Sequence, residues 1–305
     1  MTTATKSALS IKDAHLSQGH DYARDTVHTR YLHVTLISVL VLFTAVCWLT
    51  PLDLVMSRWF LGATGWVGPS YRLLSWFYFP LNAVFFLVPL LMGGLIVLVS
   101  LAPTAGLKRA RPYRVIGLFI TSTTLLGAGF FNSFLLKIIF ARPRPHSVFA
   151  GEASYYRPLE IAVAHWGALD MSFPSGHVSM ASVSVVFFFA FRFAQRRFQK
   201  MMKWGLGVVL PLFAAPIMTV SRVAYGDHFV SDGVFAIACT YGVTLFLYYQ
   251  FDVPGVYRRM HEADEAGVRV RIGVQDVLYI VVSLAVVFAL IMLLIMRFDG
   301  LRRLV

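Results

Sequence analysis

"SFPSGHVSMASVSVVFFFAFRF", residues 172–193, sets a tight polar turn directly before an apolar run that starts at Val178. A run of that kind reads as a membrane helix, for which about 20 mostly apolar residues are needed. The turn ahead of it holds Pro174, Ser175, Gly176 and His177. Such a turn has two readings. It is a plain helix start, or it is a small anion site, with backbone N–H groups and the positive end of the helix dipole facing the ligand and an imidazole beside it to donate a proton.

The rest of the chain decides the setting. Its 305 residues are 58% hydrophobic and 14% charged, with a mean hydropathy of +0.69. Those values fit a polytopic membrane protein and exclude a disordered chain or a soluble secreted domain. Cys47 and Cys239 both lie inside apolar runs, so they offer neither a metal cluster nor a supported disulfide. The formal net charge of +12 does not point to nucleic acid. The cations sit in short segments between apolar runs, as topology signals do, and such segments also suit anionic lipid headgroups.

Apolar runs at about 31–50, 77–101, 115–137, 177–194, 204–221, 229–250 and 276–296 are the predicted spans. The expected fold is all-α, a polytopic membrane helix bundle with a six-helix core and an additional C-terminal transmembrane helix. Its parts are a polar tail over 1–30, a membrane domain over 31–250, and a cytoplasmic loop with an apolar helix over 251–305. Counting Lys and Arg on alternate sides puts 17 of the 27 on one face and 10 on the other. The richer face is predicted to be cytoplasmic. The turn at 172–177 then faces the opposite compartment, the periplasm of a Gram-negative cell.

Three segments end on that outer face. The third span ends in "KIIFARPRP", with Lys137 and, seven residues on, Arg144-Pro145. The fourth opens with Pro174-Ser175-Gly176-His177, and the fifth ends in "SRVAYGDHFVSD", with Ser221-Arg222, His228 and Asp232. His228 and Asp232 are four apart, hence on one face of a helix start. A carboxylate there can hold the Nδ1 proton and leave Nε2 as a nucleophile. Lys137, Arg144 and Arg222 supply fixed positive charge, and guanidinium forks match phosphate oxygens. Each part alone is commonplace: a histidine at a helix start, a snorkelling lysine, a local His–Asp hydrogen bond. Their arrival on one face, where charges are expensive, makes them a phosphate cradle with a nucleophile on one side and an acid on the other.

The order Lys137-x6-Arg144-Pro145, Pro174-Ser175-Gly176-His177, Ser221-Arg222-x5-His228-x3-Asp232 resembles the three-part signature of the type 2 phosphatidic acid phosphatase superfamily. The resemblance covers residues 137–232 directly. It implies that His228 attacks phosphorus and becomes a phosphohistidine, that Asp232 holds its imidazole, and that His177 protonates the leaving oxygen and then activates water. It assigns Lys137, Arg144, Ser175, Gly176 and Arg222 to the phosphate oxygens, and requires no metal or other cofactor. Arg142 is a further candidate for substrate contact, and Ser221 either binds phosphate or caps its helix. Asp227 is left out, because neighbours in sequence do not face each other on a helix.

The long external segment 146–171 carries Tyr155, Tyr156 and Trp166, suited to the headgroup level, with Arg157, His165 and Asp170 as candidates for a polar headgroup. From Arg142 through Phe149-Ala150-Gly151 to Tyr156-Arg157-Pro158 it is similar to a loop of bacterial lipid A phosphatases. The expected enzyme is therefore a lipid A phosphatase of the bacterial inner membrane. Undecaprenyl diphosphate and phosphatidylglycerol phosphate are the alternative substrates. A lipid phosphotransferase would use the same residues. A protein that binds or translocates phospholipid without turnover is the alternative from another class. The expected partners are the lipid phosphate substrate and membrane lipids, with no nucleic acid; oligomeric state is not readable from the sequence.

Overall fold

The computed structural model describes residues 33–78, 80–102, 111–168, 170–194, 196–265 and 275. The chain divides into two compact units, Met1–Pro51 and Leu52–Val305. In the first, the described part is one helix, α1 (His33–Leu49), on which most apolar side chains are exposed. The predicted tail over 1–30 and the predicted span 276–296 lie outside the described residues.

The described part of the second unit is mostly helical. After α2 (Leu52–Arg58) comes a short antiparallel hairpin pairing Leu61–Gly62 with Gly65–Trp66. The long helices follow: α3 (Arg72–Ser100), α4 (Tyr113–Phe140), α7 (Arg197–Ala224) and α8 (Val230–Gln250). Between α4 and α7 lie the one-turn α5 (Pro145–Phe149) and α6 (Gly176–Ala190). A last helix, α9 (Val253–Glu265), stands where the sequence suggested a loop; Tyr257 on it is buried and its hydroxyl donates to the Ala190 carbonyl at 2.8 Å.

The four long helices are long and apolar enough to cross a membrane, and α1 with α2 makes a fifth span if the pair counts as one. The protein is an all-α polytopic bundle of the kind that fits an integral membrane protein. Leu125, Phe130 and Phe134 on α4 and Leu212 and Phe213 on α7 are exposed, as expected where lipid rather than water meets the outer faces.

Three predicted spans differ in extent. The helix of the run at 77–101 starts earlier, at Arg72. The run at 204–221 extends back to Arg197, because Arg, Gln, Lys and Met are good helix formers even where hydropathy ends. The run at 177–194 ends early, at Ala190, and contains a 3₁₀ turn over Val183–Val185. At the rises of the two helix types it is ~24 Å long, short of the ~30 Å hydrocarbon core. Gly176, Val178, Ser179, Ala181, Ser182, Val183, Ser184, Val186, Phe187, Phe189 and Ala190 are all buried. This helix is enclosed by its neighbours and meets little lipid, so it need not match the membrane's thickness.

Two apolar clusters hold the bundle. One joins Ile116, Phe119 and Ile120 of α4 to Val186, Phe187 and Phe189 of α6, Tyr248 of α8 and Val256 of α9. The other packs Phe85, Val178, Ala181, Ala214, Ala215, Met218 and Ala236 together. α3 and α4 cross at Gly93 and Gly117, where an added Cβ on Gly117 would come within 2.8 Å of the Gly93 carbonyl oxygen. Inside the bundle, the buried Asn132 amide donates to Thr240 Oγ1 (2.9 Å) and to the Ala236 carbonyl (3.3 Å), fixing α4 against α8.

Candidate active site

α4 stops at Ala141, which adopts a left-handed conformation (φ 47°) and returns its N–H to the Lys137 carbonyl at 2.8 Å. Pro143 and Pro145 follow and prevent any continuation of the helix. Lys137 is thereby left in the last turn, where its ammonium donates to the Met171 carbonyl at 2.8 Å. Arg144, with extended backbone, caps α5.

α6 begins as the sequence predicts. Ser175 is its N-cap, with the side chain accepting from the Val178 N–H, while the Ser175 N–H donates to the Asp232 carbonyl at 3.1 Å. Gly176 lies against α4 so closely that a Cβ would come within 2.6 Å of Ser133 Oγ. The third segment turns between α7 and α8. Gly226 has φ +74°, and a Cβ there would drive into the Trp66 indole. The N–H groups of Asp227 and His228 both point back at the Arg222 carbonyl, at 3.1 and 3.4 Å. Arg222 and the histidine are thus folded onto each other.

The predicted residues come together. Arg222, His228, Lys137 and Arg144 are all close enough to His177 to act on it electrostatically, and the His177 ring stacks on Tyr78, centroids 6.4 Å apart. His228 is 4% exposed. Burial, reinforced by the Lys137 and Arg222 cations, pushes its imidazole well below the usual histidine range. That environment disfavours the protonated imidazole. Its Nδ1 lies 3.6 Å from Asp232 Oδ2, slightly beyond hydrogen-bond length. Asp232 Oδ2 meanwhile accepts from the Phe229 N–H at 2.8 Å. Residues 115–254, which contain all of these groups except Tyr78, match the model of the PAP2 superfamily. This stretch belongs to the PAP2 superfamily.

PAP2 membership indicates a phosphatase acting on phosphate esters. No curated protein and no solved structure matches the chain. Among the described residues, no group of three or more His, Cys, Asp or Glu is placed to hold a metal ion.

Within the PAP2 stretch, Asp227 has a larger part than its sequence position suggested. It does not face His228 along a helix, because residues 225–229 form a turn. Its two oxygens bridge the two arginines instead, Oδ1 to Arg144 Nη1 at 3.1 Å and Oδ2 to Arg222 Nη1 at 3.0 Å. Arg222 also lies over the Tyr78 ring, 3.9 Å from its centroid, and its Nε has no hydrogen-bond partner among the described residues. Arg144 Nε meets Asp170 at 2.9 Å.

Arg142 is not a substrate contact. It is 1% exposed, and its guanidinium is fully engaged: Nη2 to Asp53 (2.8 Å), Nη1 to Asp232 (2.7 Å) and Ser231 Oγ (2.8 Å), Nε to the Tyr156 carbonyl (2.8 Å). Burial opposes its charge, but Asp232 and Asp53 outweigh that and hold its pKa above the ordinary arginine value. Ser221 does not reach toward phosphate; its hydroxyl donates to the Leu74 carbonyl at 2.8 Å and ties α7 to α3. Asp170 is committed to Arg144 and to Ser147 Oγ (2.6 Å). Sequence reasoning missed Asp53 and Tyr78. Asp53 had one signal, a carboxylate in an apolar stretch where charges are expensive; Tyr78 had none that set it apart from other aromatics.

Proposed function

We propose that the protein is a membrane lipid phosphatase that hydrolyses a phosphate monoester or diphosphate through a phosphohistidine on His228. The observation that carries the proposal is a buried His228 whose Nδ1 lies 3.6 Å from Asp232, within the field of Lys137, Arg144 and Arg222. The phosphate is bound by those three cations and by the Ser175–Gly176 turn. His228 Nε2 attacks phosphorus while Asp232 takes up the growing positive charge at Nδ1–H. The P–O bond to the lipid breaks, and protonated His177 gives its proton to the departing oxygen. Now neutral, His177 removes a proton from water. That water attacks phosphorus, the P–N bond breaks, and His228 and inorganic phosphate are released. Burial, reinforced by the surrounding cations, pushes the His177 imidazole down to a pKa of about 2. The proton it donates therefore has to arrive with the bound phosphate dianion, whose charge offsets those cations. The reaction needs no metal ion.

The substrate reading is a lipid A phosphatase of the bacterial inner membrane, with the site open to the periplasm. It is supported by the loop resemblance between Arg142 and Pro158 and by the 17-to-10 charge asymmetry. Trp166, 58% exposed, suits a loop lying at headgroup level.

Phosphate release from purified enzyme, read by mass spectrometry across lipid A, undecaprenyl diphosphate, phosphatidylglycerol phosphate and phosphatidic acid, tests this reading. Lipid A is expected to give the highest kcat/KM. Trp166→Ala should change the ranking while barely affecting a small soluble ester, because discrimination resides in contacts to the non-reacting part. Preference for another lipid overturns the substrate assignment. Turnover abolished by chelator and restored by a divalent ion overturns the mechanism.

A further inference from the structure

Asp53 lies far from the signature residues in sequence, yet it completes a buried chain of charges that ends at the histidine. Asp53, Arg142 and Asp232 are 0–1% exposed. Asp53 accepts from Arg142 Nη2 at 2.8 Å, from the Ser231 N–H at 3.0 Å and from Ser231 Oγ at 2.5 Å. Arg142 in turn donates to Asp232 Oδ1 at 2.7 Å, the oxygen opposite the one that faces His228. The Arg142 guanidinium is also packed over the Phe229 ring, 4.3 Å from its centroid. Every polar group in the row is directed to a neighbour, so the row is rigid.

We propose that Asp53 is a positioning residue for catalysis: it neutralises Arg142, so that Asp232 presents a net negative charge to His228 at the transition state. The proposal rests on the phosphohistidine reading above. Its physical basis is a count of charges. With Asp53 ionised, the row Asp53–Arg142–Asp232 carries one net negative charge. Without it, Arg142 cancels Asp232, and the positive charge that develops on the His228 ring as its Nε2 bonds to phosphorus faces a neutral pair. In a dry site that difference acts on the rate directly, because little water is present to screen it. Ground-state phosphate binding, which uses other cations, is left alone.

The test is a double-mutant cycle on full-length enzyme in detergent, with para-nitrophenyl phosphate as the probe. Asp53→Asn, nearly isosteric, is expected to lower kcat by about 10- to 100-fold with KM changed less than about threefold. That is a smaller effect than the ~10⁴-fold loss on disabling a triad carboxylate itself. The rate of phosphoenzyme formation in a rapid quench should fall by the same factor as kcat. Asp53→Asn/Arg142→Met restores the single net negative charge, now carried by Asp232 alone, which keeps the Phe229 N–H as a donor to Oδ2. It is expected to fold and to return kcat to within about fivefold of wild type, a non-additivity that two coupled groups produce and two independent packing defects do not. If Asp53→Asn fails to fold, the double variant alone decides. A folded double variant as slow as Asp53→Asn, or slowed by 100-fold or more, overturns the proposal, as does a folded Asp53→Asn with unchanged kcat. Wild-type enzyme that forms no phosphoenzyme overturns the phosphohistidine reading instead, so the two failures are distinguishable.

Discussion

Two sets of arginine–aspartate pairs flank His228, built from the same chemical groups and put to opposite uses. On one side, Arg142 is clamped between Asp53 and Asp232 at 2.8 and 2.7 Å, with all three side chains sealed from the surface. On the other, Arg144 meets Asp170 and Asp227 at 2.9 and 3.1 Å while 29% exposed, and Asp170 is itself 34% exposed. Arg222 shares Asp227 and keeps one ring-side N–H unpartnered among the described residues. Removing a partner inside the clamp strands an ion in a low dielectric, whereas in the cradle water or an incoming phosphate can take its place. Burial does not separate the two sides, since Arg222 is 3% exposed against 1% for Arg142. What differs is that every guanidinium nitrogen of Arg142 is engaged, whereas Arg222 Nε is unpartnered among the described residues and Arg144 is partly open to solvent.

The sharpest way to break that comparison is to remove one arginine from each side. Arg142→Ala leaves two carboxylates facing each other in the interior and should destabilise the protein by about 3–5 kcal/mol, a large part of an ordinary folding free energy of roughly 5–15 kcal/mol. Thermal unfolding in detergent should show an early transition or little folded protein. Arg144→Ala should shift stability by less than about 1 kcal/mol, yet lower kcat/KM by about 10²-fold through loss of a donor to the transferring phosphoryl group. An Arg144 variant that unfolds, or an Arg142 variant that folds normally with only KM raised, would reverse the division.

A smaller effect concerns pH. The folded state holds His228 neutral well below the usual range, mainly by burial, while the unfolded chain protonates it near pH ~6.5. As pH falls below that value, the unfolded state binds a proton that the folded state does not. His228 should therefore make stability drop by up to about 1.4 kcal/mol per pH unit, and contribute no slope above it. His228→Asn should flatten that acid limb of the unfolding free energy. An unchanged limb would mean that the imidazole is solvated and charged in the folded protein.

The cradle was legible in the sequence because its members sit in three compact motifs. In each, a local rule places the side chain: prolines stop α4 after Lys137, Ser175 caps α6, and residues 226–229 turn sharply at a glycine. The clamp was only half legible. Arg142 stood in the motif, but nothing in "ARPRP" says which arginine turns inward; that is decided by Asp53, which lies almost ninety residues earlier. Asp227 was misjudged because an argument from helix geometry was applied to a turn. The membrane spans were read well where hydropathy and helix end together. They were read less well at α6, where the helix ends at Ala190 and most of the apolar side chains pack against other helices.

The central claim is that His228 carries the phosphoryl group. Acid-free quenching of the enzyme during turnover of a ³²P-labelled lipid phosphate in the presence of chelator, followed by peptide mapping, tests it most directly. The account predicts a label that is stable to alkali, lost in acid, located on the peptide containing His228, and absent from His228→Ala. A label on another residue, or turnover by His228→Ala at the wild-type rate, would contradict it.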